Sequence, residues 1–157
     1  MNLESDENKN KIKKCSEKLM KLGSILAKTQ FTYKIEEKKS KEYWQKRIKD
    51  LQEYDESSIA YYNQVLNMMN ITNKEKGEIF LLQISKFHQL TTELQKIMEQ
   101  IVETPSIANS KDKQQSQWSK KVKEKLEEVS TSCFEHEKDM NLNFRKFYDE
   151  EVKKVLE

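Results

Sequence analysis

Apolar residues recur along this chain at alternating intervals of three and four. Ile12, Cys15, Leu19, Leu22 and Leu26 open the series, Trp44, Ile48 and Leu51 resume it, and Ile59, Tyr62, Leu66 and Met69 continue it. This spacing lines one face of an α-helix and is the a/d seam by which one helix packs on another. Gly23 falls inside the first run, where it costs about 1 kcal/mol against Ala. It marks either a kink or the close approach of a second helix. Phe31, Tyr33 and Ile35 follow with weaker phase. Around Asp55 to Ser58 the phase is lost, which predicts a heptad skip or a local bend.

The stretch "NITNKEKG" at residues 70–77 is the first clear break, with Thr72 or Asn73 as the N-cap of a new helix. Phe80, Gln83, Phe87, Leu90, Leu94, Ile97 and Ile101 then give the most regular stripe in the chain. Pro105 ends it, because the residue before a proline is pushed out of the α region. A last stripe runs through Trp118, Val122, Leu126, Val129, Cys133, His136, Met140, Phe144, Phe147 or Tyr148, Val152 and Val155. A helix of about 40 residues would be about 60 Å long, and such length favours a coiled coil. The expected division is a disordered tail at 1–8, an N-terminal helical segment at 9–70 and a central helix at 73–103. A loop at 104–115 and a coiled-coil helix at 116–157 complete it. The fold class is all-α: an elongated helical hairpin or bundle of three to four long helices, forming a single domain.

Composition agrees with this class. Only two glycines and one proline occur in 157 residues, too few for the turns of a multi-stranded sheet. Charged residues make up 36%, the hydrophobic set 35%, and the mean hydropathy is −0.98, values that also fit disorder. Helical periodicity and a net charge of only +2 argue for folded helices instead. Charge is uneven: residues 9–49 hold 14 Lys/Arg against 4 Asp/Glu, a net of +10, whereas residues 50–108 hold 4 against 9, a net of −5. A basic first helix suits an acidic partner helix or anionic lipid. Two cysteines, no apolar leader and no long apolar run predict a cytoplasmic protein with reduced thiols.

The stretch "CFEHEKDM" at 133–140 poses the sharpest chemical question. Cys133 and His136, three residues apart, can reach one point on a helix face. A structural zinc site needs about four ligands, and the remaining candidates, Cys15 and His88, lie far away in sequence. Phase explains the pair better: Cys133, His136 and Met140 continue the seam from Val129. No glycine-rich phosphate loop and no nucleophile setting is present, so no catalytic, cofactor or metal residue is assigned and the chain is read as a non-enzyme. The lysines of the first segment are interspersed with apolar positions, which argues against nucleic acid. What remains is helix–helix interaction. The expected partner-binding seam is Leu19, Leu22, Leu26, Phe87, Leu90, Leu94, Ile97, Trp118, Val122, Leu126, Val129, Cys133, His136, Met140 and Phe144. The expected partners are other coiled-coil subunits in a hetero-oligomer. The second reading is a membrane-associated helical module whose basic N-terminal helix binds anionic lipid.

The C-terminal stretch "KDKQQSQWSKKVKEKLEEVSTSCFEHEKDMNLNFRKFYDEE" resembles the C-terminal region of the Muted family, subunit five of the biogenesis of lysosome-related organelles complex one. Lys113, Gln114, Gln117 and Trp118 match its opening, and His136, Met140 and Tyr148 its later positions. Upstream, Leu22, Gly23 and Ile25, then Phe31 and the Glu36–Glu37–Lys38–Lys39 run, look like that family's first segment. The resemblance spans most of residues 20–157; the middle, 55–105, matches in length and helicity alone. It implies a non-enzymatic cytosolic subunit, peripheral to endosomal membranes. Such a subunit would bind elongated helical partners of the pallidin, dysbindin and cappuccino types in vesicle trafficking and lysosome-related organelle biogenesis.

Overall fold

The computed structural model describes residues 3–34, 40–104 and 113–157, without the side chains of 3–5 and 113–119. Four long helices form an all-α bundle: α1 (Leu3–Lys28), α2 (Lys41–Thr72), α3 (Lys74–Glu103) and α4 (Lys113–Phe147). A π-helical turn, Tyr148–Val152, and a last turn, α5 (Lys153–Leu156), extend α4. Neighbours pack in chain order, α1 on α2, α2 on α3 and α3 on α4, and α5 returns to α1.

The first helix begins inside the expected tail. Asp6 and Glu7 lie near its N-terminus, where the helix dipole favours negative charge, and Lys11 Nζ lies 3.9 Å from Glu7 Oε1 one turn on. The expected 9–70 helical segment comprises two helices, α1 and α2. Thr29 ends α1 by donating from its hydroxyl to the Leu26 carbonyl at 2.9 Å. The chain then runs extended: Phe31 and Tyr33 face inward, Thr32 and Lys34 outward. That period of two is why the same residues read as a helix with weak phase. Ser40 starts α2 by accepting the Tyr43 amide.

A single residue joins α2 to α3. The Asn73 amide donates to Met69 O at 2.6 Å, closing α2, while its Oδ1 accepts the Lys76 amide, capping α3. The two helices fold back antiparallel, with Tyr62 meeting Phe80 and Phe87 and Thr91 bonding Asp55. A Cβ on Gly77 would lie 1.9 Å from Asn70 Oδ1 but 3.4 Å from the Asn70 backbone nitrogen, so glycine makes room for the Asn70 side chain. Gly23 differs: a Cβ there would meet Tyr61 at an ordinary 3.5 Å, and α1 neither kinks nor needs a glycine.

The core has two halves. At one end Ile12, Cys15 and Leu19 pack with Tyr62, Val65, Met69, Phe80, Phe87, Met140 and Phe147. At the other, Trp44 and Leu51 pack with Leu90, Leu94, Ile97, Ile101, Val122, Leu126, Val129 and Cys133. All four helices contribute to the first half and only α2, α3 and α4 to the second. Between the halves α2 runs unbroken through Asp55 and Ser58, against the expected skip or bend. Trp44, Ile48, Leu51, Asp55, Ser58, Tyr62, Val65 and Met69 keep the three–four spacing throughout; the seam stays in register and only its chemistry changes. At the far end Phe147 and Val152 are both buried although five residues apart, and the wide π-turn brings them to one face.

Gly23→Ala is expected to stabilise the protein by about 0.5–1 kcal/mol, through helix propensity at a site with room for a methyl group. Thermal or urea denaturation checks this; a lower midpoint would show that α1 approaches α2 more closely than the contact to Tyr61 indicates. Leu126→Ala is expected to cost about 2–5 kcal/mol by opening a cavity among α2, α3 and α4.

Candidate functional site

The sequence-predicted seam is internal. Leu19, Phe87, Leu90, Leu94, Ile97, Val122, Leu126, Val129, Cys133 and Met140 are all buried in the bundle's own core. Leu22, Leu26, His136 and Phe144 are half-buried. The Trp118 side chain and the 105–112 part of the expected loop lie outside the described residues; α4 already begins at Lys113. The ten buried seam residues thus face the chain's own helices. The chain folds back on itself, and its own helices supply the facing seams.

The "CFEHEKDM" stretch serves this packing. Burial pushes the Cys133 thiol up to about 12, so it stays protonated. His136 Nε2 lies 2.7 Å from the Gln83 carbonyl and, facing an acceptor, donates to it. Its ring lies parallel to that of Phe87. Asn143 donates to Gln83 Oε1 at 2.8 Å, so the polar slot of the α3 stripe is filled from α4. Among the described residues, no three His, Cys, Asp or Glu side chains are grouped to hold a metal ion.

Glu137 faces the other way, into a belt of polar groups at mid-height. Tyr33 donates to its Oε2 at 3.1 Å and Tyr54 donates to its Oε1, so one carboxylate links the extended strap, α2 and α4. Tyr62 donates to Asn141 Oδ1 at 2.7 Å one turn on. Across the bundle, Thr91 donates to Asp55 Oδ1 at 2.7 Å, and His88 Nδ1 lies 3.5 Å from Asp55 Oδ2. Burial raises the Glu137 and Asp55 carboxyls above their ordinary values, partly offset by these hydrogen bonds. Burial likewise raises Tyr33 and Tyr54, which keeps both phenols protonated as donors.

The strap, Thr29–Lys34, is held from outside by Arg47. Its Nη2 donates to the Thr32 carbonyl at 2.7 Å and the Lys34 carbonyl at 3.3 Å. Its guanidinium also lies 4.5 Å above the Phe31 ring. Phe31, Tyr33 and Tyr54 form an aromatic cluster with centroids 5.2–6.4 Å apart. Between this cluster and α4 opens a groove of about 750 Å³, with Glu137 and Ser130 in its lining and Phe134 and Leu142 along its α4 side. A second, smaller hollow continues it along α4 past Glu127 to Lys123.

Sequence reasoning passed over this site. Its signals were a second stripe on α4 at intervals of three and four (Lys123, Glu127, Thr131, Phe134, Lys138, Leu142, Arg145) and the period-two alternation at 31–34. The first is mostly polar and was overshadowed by the apolar seam.

Because the Glu137 carboxyl is raised on folding, the folded state holds its proton more tightly than the unfolded chain. Its contribution is full below the unfolded value and is lost as pH rises through the folded one. Glu137→Gln removes that dependence. The urea midpoint of the variant is expected to gain on wild type as pH rises from the ordinary carboxyl value of 4.5 towards neutrality. Parallel profiles would show that Glu137 titrates alike in both states. Comparison with protein-family models, curated proteins and solved structures returned no match for this chain.

Proposed function

We propose that this protein is a non-enzymatic helical subunit of a cytosolic complex in endosomal vesicle trafficking and lysosome-related organelle biogenesis, acting by helix–helix assembly with other subunits. The observation that carries the assembly reading is where large apolar side chains remain exposed on a highly charged chain. Met20 is 78% exposed, Leu82 71%, Phe134 57% and Leu142 54%, after the seams have been filled internally. Phe134 and Leu142 share one helix face beside a groove, as a helix-binding surface requires. The half-buried carboxylates Glu137 and Asp55 are held by hydrogen bonds to Tyr and Thr, a structural use that supports the non-enzymatic reading. The trafficking context rests on the resemblance to the Muted family carried by Leu22, Gly23, Lys113, His136, Met140 and Tyr148.

Affinity purification of the full chain from its own cells, with mass spectrometry of the recovered chains, tests this. Long-helix partners in fixed ratio are the expected result; recovery as a monomer without helical partners would overturn it. A second reading, peripheral binding to anionic lipid, is favoured by α1, where exposed Met20 and Ile25 lie among exposed lysines. No helix among the described residues is long and apolar enough to cross a membrane. Sedimentation with anionic vesicles at low and high salt decides it: salt-sensitive binding supports this reading, and an absence of binding at low salt removes it.

A further inference from the structure

We infer that the groove between the strap and α4 takes an acidic amphipathic helix from a partner chain, laid lengthwise on the α4 stripe from Lys123 to Arg145. This rests on the assembly reading above and names the surface and the partner's chemistry.

The geometry begins with an unequal bundle. One end is built from four helices; at the other α1 has already stopped at Lys28. There its place is held by the non-helical stretch 30–34, whose Phe31 and Tyr33 pack on that half of the core. An extended chain is thinner than a helix, which with side chains is about 10–12 Å across. The groove opens beside this stretch, along α4 from Ser130 to Arg145, where the two halves of the core meet. Its walls are apolar where a helix would press, with Phe31 on one side and Phe134 and Leu142 on the other. The α4 stripe, at intervals of 4, 4, 3, 4, 4 and 3, stays on one helix face and covers 23 residues from Lys123 to Arg145, about 33 Å from first to last at the helical rise.

Charge selects the occupant. Lys34, Lys123, Lys138 and Arg145 stand along the groove and its continuation, against one exposed carboxylate, Glu127. None of these four cations belongs to an ion pair among the described residues. Among the described residues, the other carboxylate lining the groove, Glu137, is already engaged by the two phenols. A helix with Leu or Phe at a/d positions and Asp or Glu beside them matches both the apolar floor and the basic rim. A basic helix would bring like charges together along the whole stripe.

The test uses the full chain and two labelled peptides of roughly 25 residues, long enough for the stripe. Both carry Leu at a/d spacing, one with Glu flanks and the other with Lys flanks. By fluorescence anisotropy the Glu-flanked peptide is expected to bind at least about 10-fold more tightly, with the preference shrinking as salt rises. Phe134→Asp, at an exposed position, is expected to weaken it by about 10-fold or more while circular dichroism and the melting midpoint stay unchanged. Lys138→Glu with Arg145→Glu is expected to shift preference towards the Lys-flanked peptide. Equal binding of the two peptides, or binding indifferent to both variants, overturns the proposal. So does sedimentation equilibrium showing a wild-type dimer that Phe134→Asp converts to monomer, which would make a second copy the occupant. Loss of anionic-vesicle binding in Phe134→Asp, with neither peptide bound by wild type, would assign the groove to lipid and likewise overturn it. The two readings fail separately. Partners that co-purify equally with wild type and Phe134→Asp spare the complex and remove this surface; Glu-selective peptide binding without co-purifying partners does the reverse.

Discussion

Taking the Glu137 carboxylate out of water carries a free-energy cost, and the phenols of Tyr33 and Tyr54 offset it only while the strap lies against α4. The rest of the site depends on that condition. Tyr33 is drawn inward by the carboxylate, Phe31 follows it at period two, and Arg47 closes over the outer side of the turn. This anchor adds to the Arg47 bonds and the aromatic cluster that hold the strap against the bundle. Groove shape therefore depends on a hydrogen-bonded carboxylate as well as on the aromatic contacts around it.

The polar belt also bears on how the bundle keeps its register. Apolar seams tolerate sliding by a heptad, because Leu on Leu looks much the same one step along. Asp55 with Thr91, Glu137 with Tyr33 and Tyr54, Tyr62 with Asn141 and His136 with Gln83 each have a partner at one offset only. A slip would strand several polar groups in the interior at once. The belt lies between the two halves of the core, so both are set by the same alignment.

The helices were legible in the sequence because their spacing is. The stripes of α3 and α4, the break at residues 70–77 and the all-α class follow from apolar period and the scarcity of glycine and proline. Three features were not legible, each for a physical reason. Asp55 and Ser58 kept the heptad period but not its hydrophobicity, so a continuous helix read as interrupted. Phe31 and Tyr33 kept hydrophobicity but changed period, so an extended strap read as an indistinct helix. The seam residues were identified as pairing surfaces, but periodicity is silent on whether the pairing helix belongs to the same chain. Here it does. The candidate site lies where the period fails or the stripe is polar, and a scan for apolar seams passes over both.

The one-residue connection at Asn73 has a consequence for the order in which this topology can assemble. Bringing two helices together costs chain entropy that grows with the length of the loop between them, and here that length is minimal. Contacts such as Tyr62 with Phe80 and Phe87 join residues near in sequence, whereas Tyr33 reaches Glu137 across about two thirds of the chain. The α2–α3 hairpin is thus the cheapest nucleus, α4 has a formed two-helix surface to dock on, and the strap closes only after α4 is present. The contact that shapes the groove is in this sense the last to be made and the first that local unfolding would release.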